Sequence, residues 1–147
     1  QFSWVCLDSI SEIAEVCLAA EKKAVKDPRQ AYGALAERMG EMVRAFRDLP
    51  GRNVYFSSKQ ERTKDEQTGG MLYYPSLPGN MLKQGIGYFF DEVFALRVER
   101  DPEDKPYRVL QTSRDYSYEA KDRSGVLDMF EPPSLAHIHT KIVGTPF

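Results

Sequence analysis

The strongest constraint on the fold comes from the first eleven residues, QFSWVCLDSIS. Residues 2–7 form a short apolar run, which is typical of a strand buried on both faces of a sheet. Asp8 and Ser9 follow directly, and an amphipathic helix begins behind them. Because ligands bind at the carboxyl ends of the strands in open α/β sheets, we expect Asp8 to lie at a binding edge. The alternative is that Asp8 only caps the helix.

Strand and helix patterns alternate along the rest of the chain. Helical spacing predicts a first helix, capped by Ser9 or Ser11 and interrupted at residues 27–28, and a second helix over residues 32–49. The stretch NVYFSSKQE predicts a second buried strand with a polar end. Further elements follow in order: a short helix near residues 80–88, a strand in DEVFALRVE, a turn at residues 101–106, and an antiparallel strand in YRVLQTS. This order predicts an α/β fold with a mainly parallel sheet flanked by helices and a C-terminal antiparallel hairpin.

Two segments lack an apolar period. Residues 61–79 are rich in charge, glycine and proline, which predicts a long mobile loop. Residues 131–147 predict a proline-containing C-terminal tail. A chain of 147 residues with 41% hydrophobic residues can bury one core, so we expect a single domain over residues 1–147.

Composition argues against several classes of protein. A formal net charge of -2 is unlike that of a generally basic nucleic-acid coat, so any contact with nucleic acid must be local. No apolar run approaches the length of a membrane span, and residues 1–20 lack the basic start of a signal peptide. We expect Cys6 and Cys17 to be free thiols in a reducing compartment. His137 and His139 lack further metal ligands, and we expect them at the surface or on an edge strand.

The motif FSWVCLDS resembles the Walker B strand of a RecA-like P-loop ATPase, in which apolar residues precede an aspartate and a serine. The later order is similar too: a helical stretch, a strand ending in SSKQ, a long loop, and a hairpin followed by AKDRSG. This last motif resembles the Lys-x-Arg element of ring ATPases such as replicative helicases. From residue 2 to about residue 135, the chain is most similar to phage-encoded RecA-like nucleotide-binding proteins of recombination and single-strand annealing.

The resemblance implies an ATPase that uses ATP and Mg²⁺ in the cytoplasm of a phage-infected or lysogenic bacterial host. It also implies a homo-oligomeric ring or filament and no contact with a membrane. Asp8 would bind Mg²⁺, and Ser9 would either assist at the nucleotide or only cap the helix. Gln60 would sense the γ-phosphate, and Ser58 is the alternative if the strand end is shifted.

Two further groups of residues take roles from the same resemblance. Lys121 and Arg123 would reach the nucleotide of the neighbouring subunit as trans fingers, whereas the alternative for KDR is a solvated turn. The 61–79 segment occupies the place where RecA-like recombinases contact single-stranded DNA, but its own acids reduce its positive charge, and the alternative is an ordinary disordered loop. Four of its residues would bind phosphates or stack on bases: Arg62, Lys64, Tyr73 and Tyr74.

The P-loop of this family, Gly-x-x-x-x-Gly-Lys-Ser/Thr, does not occur in the 147 residues. It should precede Asp8 on an earlier strand, together with the strand that carries the general base. The resemblance therefore implies the C-terminal part of a longer ATPase, with a sheet incomplete on its N-terminal side and no activity on its own. The alternative is a non-catalytic nucleic-acid-binding or assembly module that keeps the fold without a P-loop.

Overall fold

The computed structural model describes residues 2–66 and 68–144. The chain divides into two compact units. The first contains Gln1–Glu61 and Pro75–Phe90, and the second contains Arg62–Tyr74 and Asp91–Phe147. The single domain over residues 1–147 stays a prediction.

The first unit begins with β1 (Trp4–Leu7), which pairs in parallel with β2 (Asn53–Phe56). Leu7 lies opposite Phe56 in this register. The predicted burial of β1 on both faces is wrong, since the strand is only half-buried and Cys6 is exposed. The reason is that β1 and β2 form a two-stranded sheet among the described residues, so β1 has one neighbouring strand instead of two.

Two long helices follow the caps that the sequence supplies. α1 (Ile10–Ala24) begins after Ser9, whose side chain accepts a hydrogen bond from the Glu12 N–H. α2 (Pro28–Arg47) begins earlier than residue 32, where we predicted it, because Asp27 caps it by accepting a hydrogen bond from the Arg29 N–H at 2.9 Å. A proline at the first helical position is favourable, so the pair that ends the first helical pattern also starts the second helix.

The core of the first unit lies between these helices and the segment that follows β4. α3 (Asn80–Gly85) continues into a 3₁₀ turn, Ile86–Phe89. Phe56 of β2 packs against this core and makes edge contacts with the rings of Phe46 at 6.0 Å and Phe90 at 5.3 Å. The buried residues of this core include Ala31, Leu35, Met39 and Val43 of α2. The others are Ile10, Ala14, Leu18, Leu77, Leu82 and Ile86.

A two-stranded sheet occupies much of the segment predicted to be a mobile loop. β3 (Gln60–Lys64) and β4 (Met71–Pro75) pair with each other, so the loop prediction for residues 61–79 is wrong. The turn between them is closed by a hydrogen bond from the Asp65 N–H to Gly70 O at 2.8 Å, and Gly69 adopts a positive φ of 74°. β3 is polar on both faces, so it has no apolar alternation by which the sequence could reveal a strand.

The second unit contains the predicted C-terminal hairpin. β6 (Ala95–Arg100) pairs antiparallel with β7 (Pro106–Gln111), as the sequence predicted. β5 (Glu92–Val93) pairs antiparallel with β8 (Lys121–Asp122), so the predicted third strand is divided between two sheets. β7 also pairs antiparallel with β9 (Phe130–Glu131).

A helix lies where the sequence predicted a C-terminal tail. α4 (Leu135–Val143) is capped by Ser134, whose hydroxyl accepts a hydrogen bond from the His137 N–H at 3.3 Å. Glu131 is buried, forms an ion pair with Lys141 at 2.5 Å and is hydrogen-bonded to His137 Nε2 at 3.0 Å. These contacts attach α4 to β9. His137 is exposed on α4, so of the two predicted positions it takes the surface and not an edge strand.

In the part of the chain that the structure describes, the fold is therefore α/β, with four α-helices and several small sheets that are mostly antiparallel. The described strands do not show the mainly parallel sheet that we predicted: β1 pairs with β2 in parallel, whereas β5 with β8, β6 with β7 and β7 with β9 are antiparallel. Within residues 2–66 and 68–144, no helix is long and apolar enough to cross a membrane.

Candidate functional site

Asp8 and Ser57 lie side by side at the carboxyl ends of β1 and β2. Because Leu7 lies opposite Phe56 in the parallel register, Asp8 and Ser57 are the residues that directly follow the two strands. The Ser57 hydroxyl donates a hydrogen bond to Asp8 Oδ1, and the Ser57 N–H donates to Leu7 O at 3.0 Å. The peptide bond between Asp8 and Ser9 is cis. Asp8 is exposed, so its carboxylate is open to a ligand while one oxygen is held by a hydroxyl.

The start of α1 decides which of Asp8 and Ser9 caps the helix. The cap of α1 is Ser9, whose Oγ accepts a hydrogen bond from the Glu12 N–H at 3.4 Å. The Ile10 N–H instead donates to Ser57 O at 2.9 Å. The capping alternative for Asp8 is therefore wrong, and the side chain of Ser9 acts as the cap.

A buried serine fixes the segment that follows β2. The Ser11 hydroxyl donates a hydrogen bond to Ser76 O at 2.7 Å and accepts one from the Lys59 N–H at 3.0 Å. The Ser76 N–H in turn donates to Lys59 O at 2.7 Å. Ser11 is fully buried, so these bonds hold the chain after Ser57 firmly against the first turn of α1.

The two residues predicted as phosphate sensors lie farther along this segment. Ser58 and Gln60 are both exposed, and Gln60 is the first residue of β3 instead of the last residue of β2. Ser57 is the residue that contacts Asp8; the sequence analysis placed it in the polar end of this strand but chose Gln60 and Ser58 for the site. The parallel register could have found it, because the residue following each strand must meet at the same edge of the sheet.

The Lys121 and Arg123 segment belongs to the second unit. Lys121 lies opposite Val93 in the antiparallel pair of β8 with β5. Arg123 follows the strand, and its Nη1 lies 2.8 Å from Asp91 Oδ1. The Arg123 side chain is 75% exposed and that of Asp91 is 69% exposed. An exposed pair of this kind contributes only about 0–1 kcal/mol, so it leaves Arg123 free to exchange partners.

Asp122 orders the turn that carries Arg123. Its Oδ1 accepts hydrogen bonds from the Ser124 hydroxyl at 2.5 Å and the Gly125 N–H at 3.1 Å, and its Oδ2 accepts one from the Leu127 N–H at 3.1 Å. Burial acts to raise the pKa of Asp122, but these hydrogen bonds outweigh it and hold the pKa below its usual value. KDRSG is therefore an ordered turn.

Glu92 lies directly opposite Asp122 in the β5–β8 register. Burial, followed by the negative charge of Asp122, raises the pKa of Glu92 to about 7. Its Oε2 is buried without a hydrogen-bond partner among the described residues, whereas its Oε1 accepts a hydrogen bond from the Ser124 N–H at 3.3 Å. The carboxyl pair is thus most compatible with this fold when Glu92 is protonated.

We expect the stability of the chain to fall as the pH rises from about 5 to about 8. The folded pKa of Glu92 is about 7 against an ordinary value of 4.5, so the folded state binds more protons between these values and loses that advantage as the pH rises. Glu92→Gln mimics the protonated side chain and should flatten this dependence in urea denaturation. Glu103→Gln, in the exposed hairpin turn, is the matched control. An unchanged pH slope in Glu92→Gln would contradict the assignment.

The residues predicted to contact single-stranded DNA lie on two paired strands: Arg62, Lys64, Tyr73 and Tyr74. Arg62 and Lys64 are exposed and two residues apart on β3, so they share one face of that strand. The Tyr73 ring is stacked on Tyr118, with centroids 4.5 Å apart and planes at 7°. Arg97 lies 4.3 Å from the centroid of the Tyr118 ring. One face of Tyr73 is therefore already covered, and contact with DNA stays a prediction.

A family model described as an AAA domain matches residues 1–124. The match covers well over half of the chain and includes Asp8, Ser57, Lys121 and Arg123. The chain belongs to the AAA domain family. No curated protein and no solved structure matches it. AAA domains are P-loop ATPase domains, so the family indicates nucleotide binding and the general use of ATP with Mg²⁺.

The end of β1 fits the metal that AAA domains use. Mg²⁺ prefers oxygen ligands and is usually held by one or two carboxylates together with substrate phosphates and water. No group of three or more His, Cys, Asp or Glu residues that could hold a metal occurs in the part of the chain that the structure describes. Asp8 therefore offers one carboxylate, which suits a Mg²⁺ ion that arrives with the nucleotide better than an independent metal centre.

Proposed function

We propose that this AAA domain supplies the Walker B side of an ATP-hydrolysing site in a RecA-like ATPase, with the P-loop supplied by sequence outside these 147 residues. The observation that supports this most is the contact of Asp8 with Ser57 at adjacent ends of two parallel strands. Ligands bind at this edge in open α/β sheets, and an exposed carboxylate there is suited to a magnesium nucleotide.

Asp8 would bind the metal, and Ser57 would orient the Asp8 carboxylate. Mg²⁺ bound with ATP would neutralise charge on the phosphate oxygens during phosphoryl transfer. The Asp8 carboxylate would hold the ion or one of its water ligands. By donating to Oδ1, the Ser57 hydroxyl fixes the plane of that carboxylate, so the second oxygen is presented in one orientation.

Gln60 and Ser58 remain the proposed sensors of the γ-phosphate. Both are exposed, and they follow Ser57 on a segment that Ser11 ties to α1. Gln60 also begins β3, the strand that carries Arg62 and Lys64. Loss of the γ-phosphate would therefore act, through Gln60, on β3 and its exposed Arg62 and Lys64 side chains.

Lys121 and Arg123 would complete the nucleotide site of a neighbouring subunit in a ring or filament. The exposure of Arg123 and its weak pair with Asp91 support this role, because the guanidinium can leave Asp91 at little cost. A phosphate is a stronger partner than an exposed carboxylate, since arginine binds phosphate with two charge-assisted hydrogen bonds.

The cellular role that fits the sequence resemblance is DNA recombination, annealing or replication by a phage-encoded protein. Its nucleic-acid partner would be single-stranded DNA, bound by the β3–β4 hairpin through the exposed Arg62 and Lys64, with Tyr73 and Tyr74 adding stacking area. The competing function is a non-catalytic module for nucleic-acid binding or assembly, which the same fold without a P-loop would support.

Titration of MgATP into residues 1–147 tests the proposal. The backbone N–H groups and the lysine of a P-loop supply most phosphate contacts, so we expect the chain to show no micromolar affinity by calorimetry. The same protein extended to include a P-loop should bind ATP and hydrolyse it. Micromolar binding by residues 1–147 would contradict an incomplete site, and an extended protein without a P-loop and without turnover would favour the non-catalytic module.

A further inference from the structure

β6 is an edge strand with exposed apolar side chains. The described part of its sheet has the order β6-β7-β9, so β6 is paired on one side. The exposed fraction is 54% for Leu96 and 65% for Val98. β6, with the sequence ALRVER, contains no proline and no lysine, two residues by which proteins commonly prevent edge strands from pairing.

The hairpin shows which backbone groups of β6 face outward. The Asp101 N–H donates a hydrogen bond to Lys105 O at 3.0 Å, so the next pair, Arg100 with Pro106, is of the type without ladder bonds. The presence of a proline, which has no N–H, agrees with this. Pairs alternate along an antiparallel ladder, and therefore the N–H and C=O groups of Leu96, Val98 and Arg100 point away from β7.

The charges on β6 are complementary to a second copy of the same strand. If two copies pair antiparallel about Val98, each Arg97 lies opposite the Glu99 of the other copy, and both residues occupy the same face of the joined sheet. Within one copy, Arg97 Nη2 already lies 2.6 Å from Glu99 Oε1, so the two side chains reach one another on that face. Charges on an edge usually repel an added strand, but here opposite charges would meet.

We propose that β6 binds a second copy of this chain, edge to edge and antiparallel about Val98. The joined sheet would have the order β9-β7-β6-β6-β7-β9, with the exposed Val98 side chains in contact at the two-fold axis. The outward N–H and C=O groups of Leu96, Val98 and Arg100 would be paired, and two Arg97–Glu99 pairs would set the register. This contact is separate from the trans contact proposed for Arg123 and does not depend on ATP.

Disulfide crosslinking tests the register directly. Residues paired by ladder bonds have Cα atoms about 5.5 Å apart, which lies inside the range of about 4.4–6.8 Å that a disulfide spans. In a Cys6→Ser background, which removes the exposed native thiol, Val98→Cys should form covalent dimers under mild oxidation. Val126→Cys, at a 48% exposed valine outside β6, is the matched control. Equal crosslinking at both positions would overturn the proposal.

Sedimentation equilibrium supplies a second measurement that needs no introduced thiol. Glu99→Arg places like charges opposite each other twice in every dimer, so we expect the dimer dissociation constant to rise on the order of tenfold. Glu103→Arg makes the same charge change in the hairpin turn, outside the paired segment, and should leave the constant unchanged. A wild-type chain that is monomeric at high concentration, or equal weakening by both variants, would overturn the proposal.

Discussion

Asp8→Asn should reduce ATP turnover by on the order of 100-fold in the protein that carries both this domain and a P-loop. The change removes the negative charge next to Mg²⁺ while keeping the size of the side chain, so the loss is one of metal binding and charge stabilisation. The amide can still accept the hydrogen bond from Ser57, and the fold should remain intact. Steady-state turnover and a thermal melt of the same preparation measure both effects.

Two variants give this experiment its controls. Ser57→Ala removes the hydroxyl that orients Asp8 but keeps the charge, so its loss of turnover should be clearly smaller than that of Asp8→Asn. Asp48→Asn removes a carboxylate at the end of α2, where it forms an ion pair with Arg47 at 2.7 Å, and should leave turnover unchanged. If Asp8→Asn retained wild-type turnover, its carboxylate would have no role at the metal.

Arg123→Ala subunits mixed with Asp8→Asn subunits should recover part of the activity that each lacks alone. In a mixed assembly, an Asp8→Asn subunit presents an intact Arg123 to the intact Asp8 site of an Arg123→Ala neighbour. An arginine that stabilises phosphoryl transfer in trans is worth about 10³–10⁵ in rate, so even partial recovery stands far above the activity of either variant. Turnover measured across a series of mixing ratios gives the result.

Asp91→Asn separates the trans role of Arg123 from its local ion pair. This variant breaks the same 2.8 Å contact from the other side and leaves the guanidinium in place. If the contact with Asp91 were the function of Arg123, both variants would lose turnover equally. We expect Asp91→Asn to stay near wild type. Mixed assemblies that form without any recovery would assign Arg123 to its own subunit or to a solvated turn.

Local signals in the sequence were sufficient for several elements. The apolar run before Asp8 became β1, and the periodic apolar residues became α1, with its cap at Ser9, and most of α2, whose cap at Asp27 the sequence analysis did not predict. The hairpin of β6 and β7 also follows from alternation on either side of a turn at residues 101–106. Caps, turns and periodicity depend on neighbours within a few residues, so they can be predicted from the sequence alone.

Pairing between distant segments required the tertiary structure. Ser57 meets Asp8, 49 residues away along the chain, only because β1 and β2 are in register. Gln60, which we chose as the γ-phosphate sensor, lies beyond the end of β2. The strand β3 and the helix α4 were missed because polar residues in one and prolines before the other concealed their periodicity. By itself, the sequence determined that Asp8 and Ser9 follow an apolar strand and come directly before a helix. Only the tertiary structure decided which side chain that acid faces, because register is set by packing between strands and not by any local run of residues.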